Sequence, residues 1–273
     1  MGTNRGILNA AKIAAALIAL LAAAVLTAAP EEADAATSAF NEKIRDMKSG
    51  TRLYKKGIKK NGGAYNYFRV YKIRKGSKVY KRMNGKSMPK GYDTSGLRYV
   101  KVIYRDFKGV KRIGELVVAR RVAGKVKKIF YRLFKFGYRI RKMKLVDNYF
   151  PKKFTDRQAA ARKADDNSMD ADNTSAFNYR YVLGTTSLSA HSYGTCIDVN
   201  PFENPYCFNR GGRWVAASNQ RKSQKYCNRT PSKDRKHMIH GGDFIVKRFR
   251  ENGFRWLGFG SSMRDYQHFQ YAG

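Results

Sequence analysis

Leu97-Arg-Tyr-Val-Lys-Val-Ile-Tyr104 is a run of β-branched and aromatic residues broken by two cations, and it reads as a strand. Gly109 turns the chain, and residues 115–118 read as a second strand. The period then changes. Between 122 and 136, Val122, Val126, Ile129, Phe130 and Leu133 fall on one helical face, and Gly137 follows as a stop. Strand, strand and helix without a βαβ rhythm point to an α+β fold. The expectation is a small central antiparallel sheet with helices packed on it and the functional site in a cleft.

Toward the C-terminus, Thr155-x-x-Gln158 reads as a capping box ahead of a short helix at Ala159-Ala160-Ala161. The polar, acidic stretch 165–175 reads as a loop. Asp243 caps a last helix that runs through Arg250 and stops at Gly253. Residues 254–256 and 267–271 look like short strands. Toward the N-terminus, residues 41–85 hold 15 Lys/Arg against 2 Asp/Glu, with Tyr and Phe interleaved. Residues 68–73 alternate like a short strand, with Gly62-Gly63 and Lys75-Gly76-Ser77 as turns. So short a segment is near the lower limit for folding alone, and it leans on the next domain or stays partly mobile. The boundaries are therefore 1–36, 37–86 and 87–273.

The formal charge is +36 over 273 residues, which calls for a polyanion nearby: nucleic acid, anionic lipid or an anionic wall polymer. The N-terminus selects among them. Arg5 and Lys12 precede an apolar run from Ile13 through Ala29, and Ala33-Asp34-Ala35 supplies small residues around a cleavage point. This is the layout of a secretory signal, or of an uncleaved anchor, which would be the only membrane contact. Either way the rest of the chain is exported, to be secreted or wall-associated, and nucleic acid is not the natural partner. In that setting the 37–86 segment is a docking patch for anionic wall polymers such as teichoic acid, or a solvated basic linker. Of three cysteines, none forms a C-x-x-C pair, so a cysteine zinc site is not expected, and Cys207–Cys227 is the expected bridge.

The chemistry sits in Ser187-Leu-Ser-Ala-His191-Ser-Tyr193-Gly194-Thr-Cys-Ile-Asp198-Val-Asn200-Pro201 and in Asp265-Tyr-Gln-His268-Phe-Gln270. Imidazole and carboxylate both bind zinc, and a catalytic site needs three protein ligands and one open position. His191, Asp198 and His268 supply that set for one zinc ion per chain. A turn at Tyr193-Gly194 would fold the first two together, and His268 must arrive from a distant strand. Metal-activated water then needs a general base. Asp265, three residues before His268, is placed on the turn leading into that strand. Arg180 is expected to hold a substrate carboxylate or the developing oxyanion, or to pair with a nearby Asp.

The pattern Ser189, His191, Gly194, Asp198, Asn200-Pro201, then Asn204-Pro205-Tyr206, then Asp265 and His268, resembles the zinc peptidases that include VanY-type D-alanyl-D-alanine carboxypeptidases. It is closest to their bacteriophage-type L-alanyl-D-glutamate endopeptidase branch. The likeness runs from about Ser87 to the C-terminus. It implies zinc on His191, Asp198 and His268, Asp265 as catalytic base, and a substrate contact at Arg180, upstream in Asn173-Thr-Ser-Ala-Phe-Asn-Tyr-Arg180. Trp256-Leu-Gly-Phe-Gly260 lacks the family's second Trp, Cys196 replaces a small residue, and the base is Asp rather than Glu. The implied activity is hydrolysis of an amide bond in the peptidoglycan stem peptide, either L-Ala–D-Glu or the terminal D-Ala–D-Ala.

Plainer roles stand beside these. Ser189 and Tyr193 are taken as substrate contacts, although Tyr193 would serve equally as packing. His237 and His240 are surface or capping residues rather than ligands of a second metal, and Trp256 belongs to the core. The alternative for the whole chain is a non-catalytic cationic wall-binding protein on a peptidase scaffold.

Overall fold

A computed structural model describes residues 30–182, 184–230 and 236–273. Most of the expected signal segment lies outside the described residues. Among the described residues no helix is long and apolar enough to cross a membrane. The chain divides into two compact units, 1–44 and 45–273, and helix α1 (Pro30–Asp46) runs through the boundary. Residues 45–86 hold the short helix α2 (Lys55–Lys60), strand β1 (Arg69–Lys72) and helix α3 (Lys78–Met83).

The first sheet contains β1, β2 (Leu97–Arg105) and β3 (Lys111–Ala119), all antiparallel and in that order. β2 and β3 pair over nine positions, from Leu97↔Ala119 to Arg105↔Lys111. Their residues are buried almost without alternation, because both faces of the hairpin are covered. On one side lies α4 (Arg120–Phe136), whose Val122, Val126, Ile129, Phe130 and Leu133 are all buried, as the periodicity requires. Gly137 ends it in the left-handed region, with Tyr138 N donating to Leu133 O. The other core joins Ile73, Val79, Tyr80, Met83 and Met88 to Leu97, Tyr99, Val117, Leu145 and Phe177. The basic segment thus leans on the strands through its apolar residues, and β1 pairs with β2 from Arg69↔Lys101 to Lys72↔Arg98.

Beyond α4 the chain crosses β4 (Lys142–Met143), α5 (Arg157–Asp170) and β5 (Asn173–Thr174), with β4 and β5 parallel. Two expectations are corrected here. The cap of α5 is Asp156, whose carboxylate accepts from Gln158 N and Ala159 N, so Thr155 does not form the box. The acidic stretch from Asp165 belongs to the helix through Asp170, because Ala160, Ala161, Ala164, Asp165 and Ser168 face inward.

Two further sheets complete the unit in place of one central sheet. One contains β6 (Cys196–Asp198), β11 (His268–Tyr271) and β9 (Phe254–Trp256), in that order. The other is β10 (Met263–Asp265), β7 (Tyr206–Arg210) and β8 (Arg213–Ala216). Helix α6 (Phe244–Arg250) begins after Asp243, but the Asp243 carboxylate accepts from His240 N rather than capping the helix, and Phe249 stacks on Phe269 of β11 with centroids 4.0 Å apart. Trp256 is core: it is buried and donates Nε1–H to Tyr266 O.

Cys207 on β7 is bridged to Cys227, 20 residues on, while Cys196 is free and buried. Denatured, unreduced protein should therefore show one reactive thiol; three would refute the bridge. Replacing both bridging cysteines by serine should lower stability by roughly 3 kcal/mol for a loop of this size, measured by denaturant unfolding.

Candidate metal centre and its surroundings

His191 is placed by its local turn. Ser189 is extended and its Oγ accepts from His191 N at 3.3 Å, starting a 3-10 turn over Ala190–Tyr193. Gly194 ends the turn at φ +65°. A Cβ there would lie 2.7 Å from Ala119 N, while Ala119 N donates to Gly194 O at 2.8 Å. Only glycine allows both this backbone conformation and this approach to the end of β3. His191 Nδ1 lies 2.6 Å from the Ala176 carbonyl. That bond requires a proton on Nδ1, so the lone pair of the neutral ring is on Nε2.

Asp198 ends β6 and exchanges backbone hydrogen bonds with Ser175 on one side. On the other side it sits directly opposite His268 in the β6–β11 register. Antiparallel pairing puts opposite residues on the same face with their Cβ atoms about 5 Å apart. The result is a carboxylate between two rings: Asp198 Oδ2 is 3.3 Å from His191 Nε2, and Oδ1 is 2.8 Å from His268 Nδ1. One ligand atom from each residue lies within 4.8 Å of the others, and all three residues are buried. Among the described residues this is the one cluster of three or more His, Cys, Asp or Glu able to hold a metal ion. Two nitrogens and one carboxylate oxygen, with one imidazole fixed by a carbonyl, fit a zinc site that keeps an open position.

The charges fit as well. Burial pulls His191 down, but the Asp198 carboxylate outweighs it and lifts the ring to about 9. His268 is lifted well above its ordinary value against the same burial, through its hydrogen bond to Asp198. Burial would raise Asp198, yet the two imidazoles hold it far below the usual carboxylate range. Asp265 lies at the end of β10, one short turn before His268. Burial pushes its carboxyl up to about 7, and Oδ1 is sealed from solvent without a hydrogen-bond partner among the described residues. A carboxyl that titrates near neutrality beside a metal-binding cluster is suited to proton transfer.

The remaining expected residues divide. Arg180 pairs with Asp165 of α5 at 2.5 Å through Nη2, and its Nε is buried without a partner among the described residues. Ser189 spends its hydroxyl as acceptor for the His191 turn rather than facing outward. Tyr193 is exposed beside His191. His237 stacks on Phe107 and His240 lies 3.6 Å from Asp243, and neither belongs to a metal-binding group among the described residues. Asp165 was missed because its stretch read as a loop. Its signal is periodic: Gln158, Ala161 and Asp165 share a helical face that meets Tyr181 N, Asn178 Nδ2 and Arg180 in turn. The acid pair Asp172 and Glu203, both buried, was also missed. Asp172 Oδ1 accepts from Phe202 N in the loop that follows Asp198.

Residues 183–271 match the family model described as D-alanyl-D-alanine carboxypeptidase. The matched segment contains His191, Asp198, Asp265 and His268, and leaves out Arg180. The match supports a peptidase of the VanY-like kind without distinguishing a branch. No curated protein and no solved structure matches the chain.

Two measurements follow from these charges. Metal must displace protons from a cluster whose His191 holds one up to about pH 9. Apparent zinc affinity should therefore rise with pH until about that value, with protons released on binding at pH 7; an affinity flat from pH 6 to 9 would contradict the cluster. Glu203 is pushed to about 9 by burial and by Asp172. Its stabilising contribution is full below the ordinary carboxyl value near 4.5 and is lost as pH rises through about 9. Glu203→Gln should therefore gain on the wild type as pH rises from 5 to 9 in thermal unfolding.

Proposed function

We propose that this protein is an exported, zinc-dependent peptidase that hydrolyses an amide bond in the stem peptide of peptidoglycan. The observation that carries the reading is the convergence of His191, Asp198 and His268 close before a buried, unpartnered oxygen of Asp265. The family match supports the peptidase class. When bound by these three side chains, zinc supplies Lewis-acid activation of water and of the scissile carbonyl.

The chain's own residues supply the rest. Asp265 accepts a proton from the attacking water and passes it to the departing amine. A C–O bond forms, the C–N bond breaks, and the carboxylate is regenerated as the amine leaves. Asp165 holds the Arg180 guanidinium by Nη2, leaving Nε–H for a substrate carboxylate or the oxyanion. Tyr193 is the outward substrate contact beside the centre, while Ser189 acts through the His191 turn. The bond cut is L-Ala–D-Glu or the terminal D-Ala–D-Ala. The N-terminal signal delivers the chain to the envelope, and its charge of +36 favours retention on anionic wall polymers. That charge also favours a second reading, a non-catalytic wall-binding protein on the same scaffold.

Purified sacculi separate the two readings. The peptidase should release amino groups, stop on chelation and recover with zinc; full activity after exhaustive chelation would exclude the mechanism. His268→Ala should lose both metal and turnover. Asp265→Ala should keep one zinc per chain while kcat falls by about 10²–10⁴. Mass spectrometry of the products from a defined muropeptide identifies the bond.

A further inference from the structure

Away from the metal centre, the second compact unit contains a cavity of about 590 Å³. It is lined from residues 45–49, from 76–79 and Arg82, from Tyr99 of β2 and Glu115 of β3, and from Lys144 and Asn148. Its lining shares no residue with the metal-binding cluster of His191, Asp198 and His268.

The charge of this cavity is unbalanced. Its lining holds the cations Arg45, Lys48, Lys78, Arg82 and Lys144 against the acids Asp46 and Glu115. Both acids are already engaged. Lys78 holds Asp46 at 2.6 Å, and Arg82 holds Glu115 at 2.9 Å with Asp147 behind it. Beneath them the fully buried Lys101 donates Nζ–H to Met47 O at 2.6 Å and lies 3.9 Å from Glu115. The acids are thus engaged by protein cations, with Lys101, Glu115 and Asp147 buried and Arg82 and Lys78 partly open to solvent. Of the lining cations, Lys48 and Lys144 form no ion pair among the described residues. Ser49 and Asn148 also line it, with the Asn148 amide donating to Leu145 O.

We propose that this cavity binds one phosphate-bearing repeat of an anionic polymer. Two ammonium groups without an ion pair, in a lining with more cations than acids, suit the several acceptor oxygens of a phosphodiester. The site rests on the wall-polymer part of the proposed function and deepens it, by giving the attraction a place. It also accounts for a basic segment that shares its core with the strands of the first sheet instead of hanging free.

The test uses the full chain and a soluble poly(glycerol phosphate), with binding read by calorimetry at several salt concentrations. Lys48→Gln combined with Lys144→Gln should weaken binding about tenfold and lower the salt slope by about 2. A control pair on the exposed face of α4, Lys128→Gln with Lys135→Gln, removes the same charge and should change affinity less than about threefold. Turnover of a small muropeptide should be unchanged in both. Equal losses in the two pairs would place the attraction in the overall charge and overturn the site, while leaving wall adsorption standing. No binding by the unaltered chain would overturn both. Binding of inorganic phosphate as tight as that of the polymer would reduce the site to a simple anion pocket and overturn the polymer assignment.

Discussion

The antiparallel pairing of β6 with β11 is the constraint on which the rest of this molecule depends. It sets Asp198 opposite His268, residues 70 positions apart, on a shared face. A slip of one position would turn one of the two side chains away, because neighbours along a strand point in opposite directions. The register is held from several sides. Phe269, next to His268, stacks on Phe249, and Trp256 pairs with Phe269 from the other edge. Asp198 is gripped through its backbone by Ser175. A stable apolar core thus keeps a polar constellation in place that would not assemble by mutual attraction.

The electrostatic logic follows from that geometry. A carboxylate buried alone would be protonated at neutral pH. Asp198 stays ionised because two imidazoles face it, and those rings hold protons because it stays ionised. Removing any one of the three leaves an uncompensated buried charge, or a neutral pair with little affinity for a cation. Asp265 is buried under different terms. It forms no ion pair among the described residues, and desolvation outweighs the pull of His268 and His191 and moves it toward neutrality. Two carboxyls near His268, Asp198 across the β6–β11 pair and Asp265 three positions before it in the chain, are thereby driven to opposite protonation behaviour.

The cluster able to hold a metal was legible in the sequence where spacing is local: His191 and Asp198 sit within one short stretch and His268 in a second, and the fold brings the three together. The hairpin and α4 were legible because their apolar periods run long. Legibility failed where tertiary context overrides composition. The stretch 165–170 is polar enough to pass for a loop, yet it stays helical because Asp165 is matched by Arg180 and Ser168 by Asn173. Thr155 looked like a cap, but the carboxylate of Asp156 is one position better placed. Ser189, read in the motif as a substrate contact, also accepts from the backbone of His191, a role the motif does not announce. The contact of Gly194 with Ala119 could not be foreseen, since nothing in either stretch names the other.

That contact bears on what counts as a module here. The segment resembling known peptidases begins at 183, yet the His191 turn hangs on Ala119, its ring on Ala176, and Asp198 on Ser175. The inheritable signature is smaller than the cooperative unit that folds. Excised at its boundaries of resemblance, the signature would keep His191, Asp198, Asp265 and His268 but lose Arg180 and the supports that aim the metal-binding side chains. Transplanting this chemistry to another protein therefore means carrying the hairpin along with the motif.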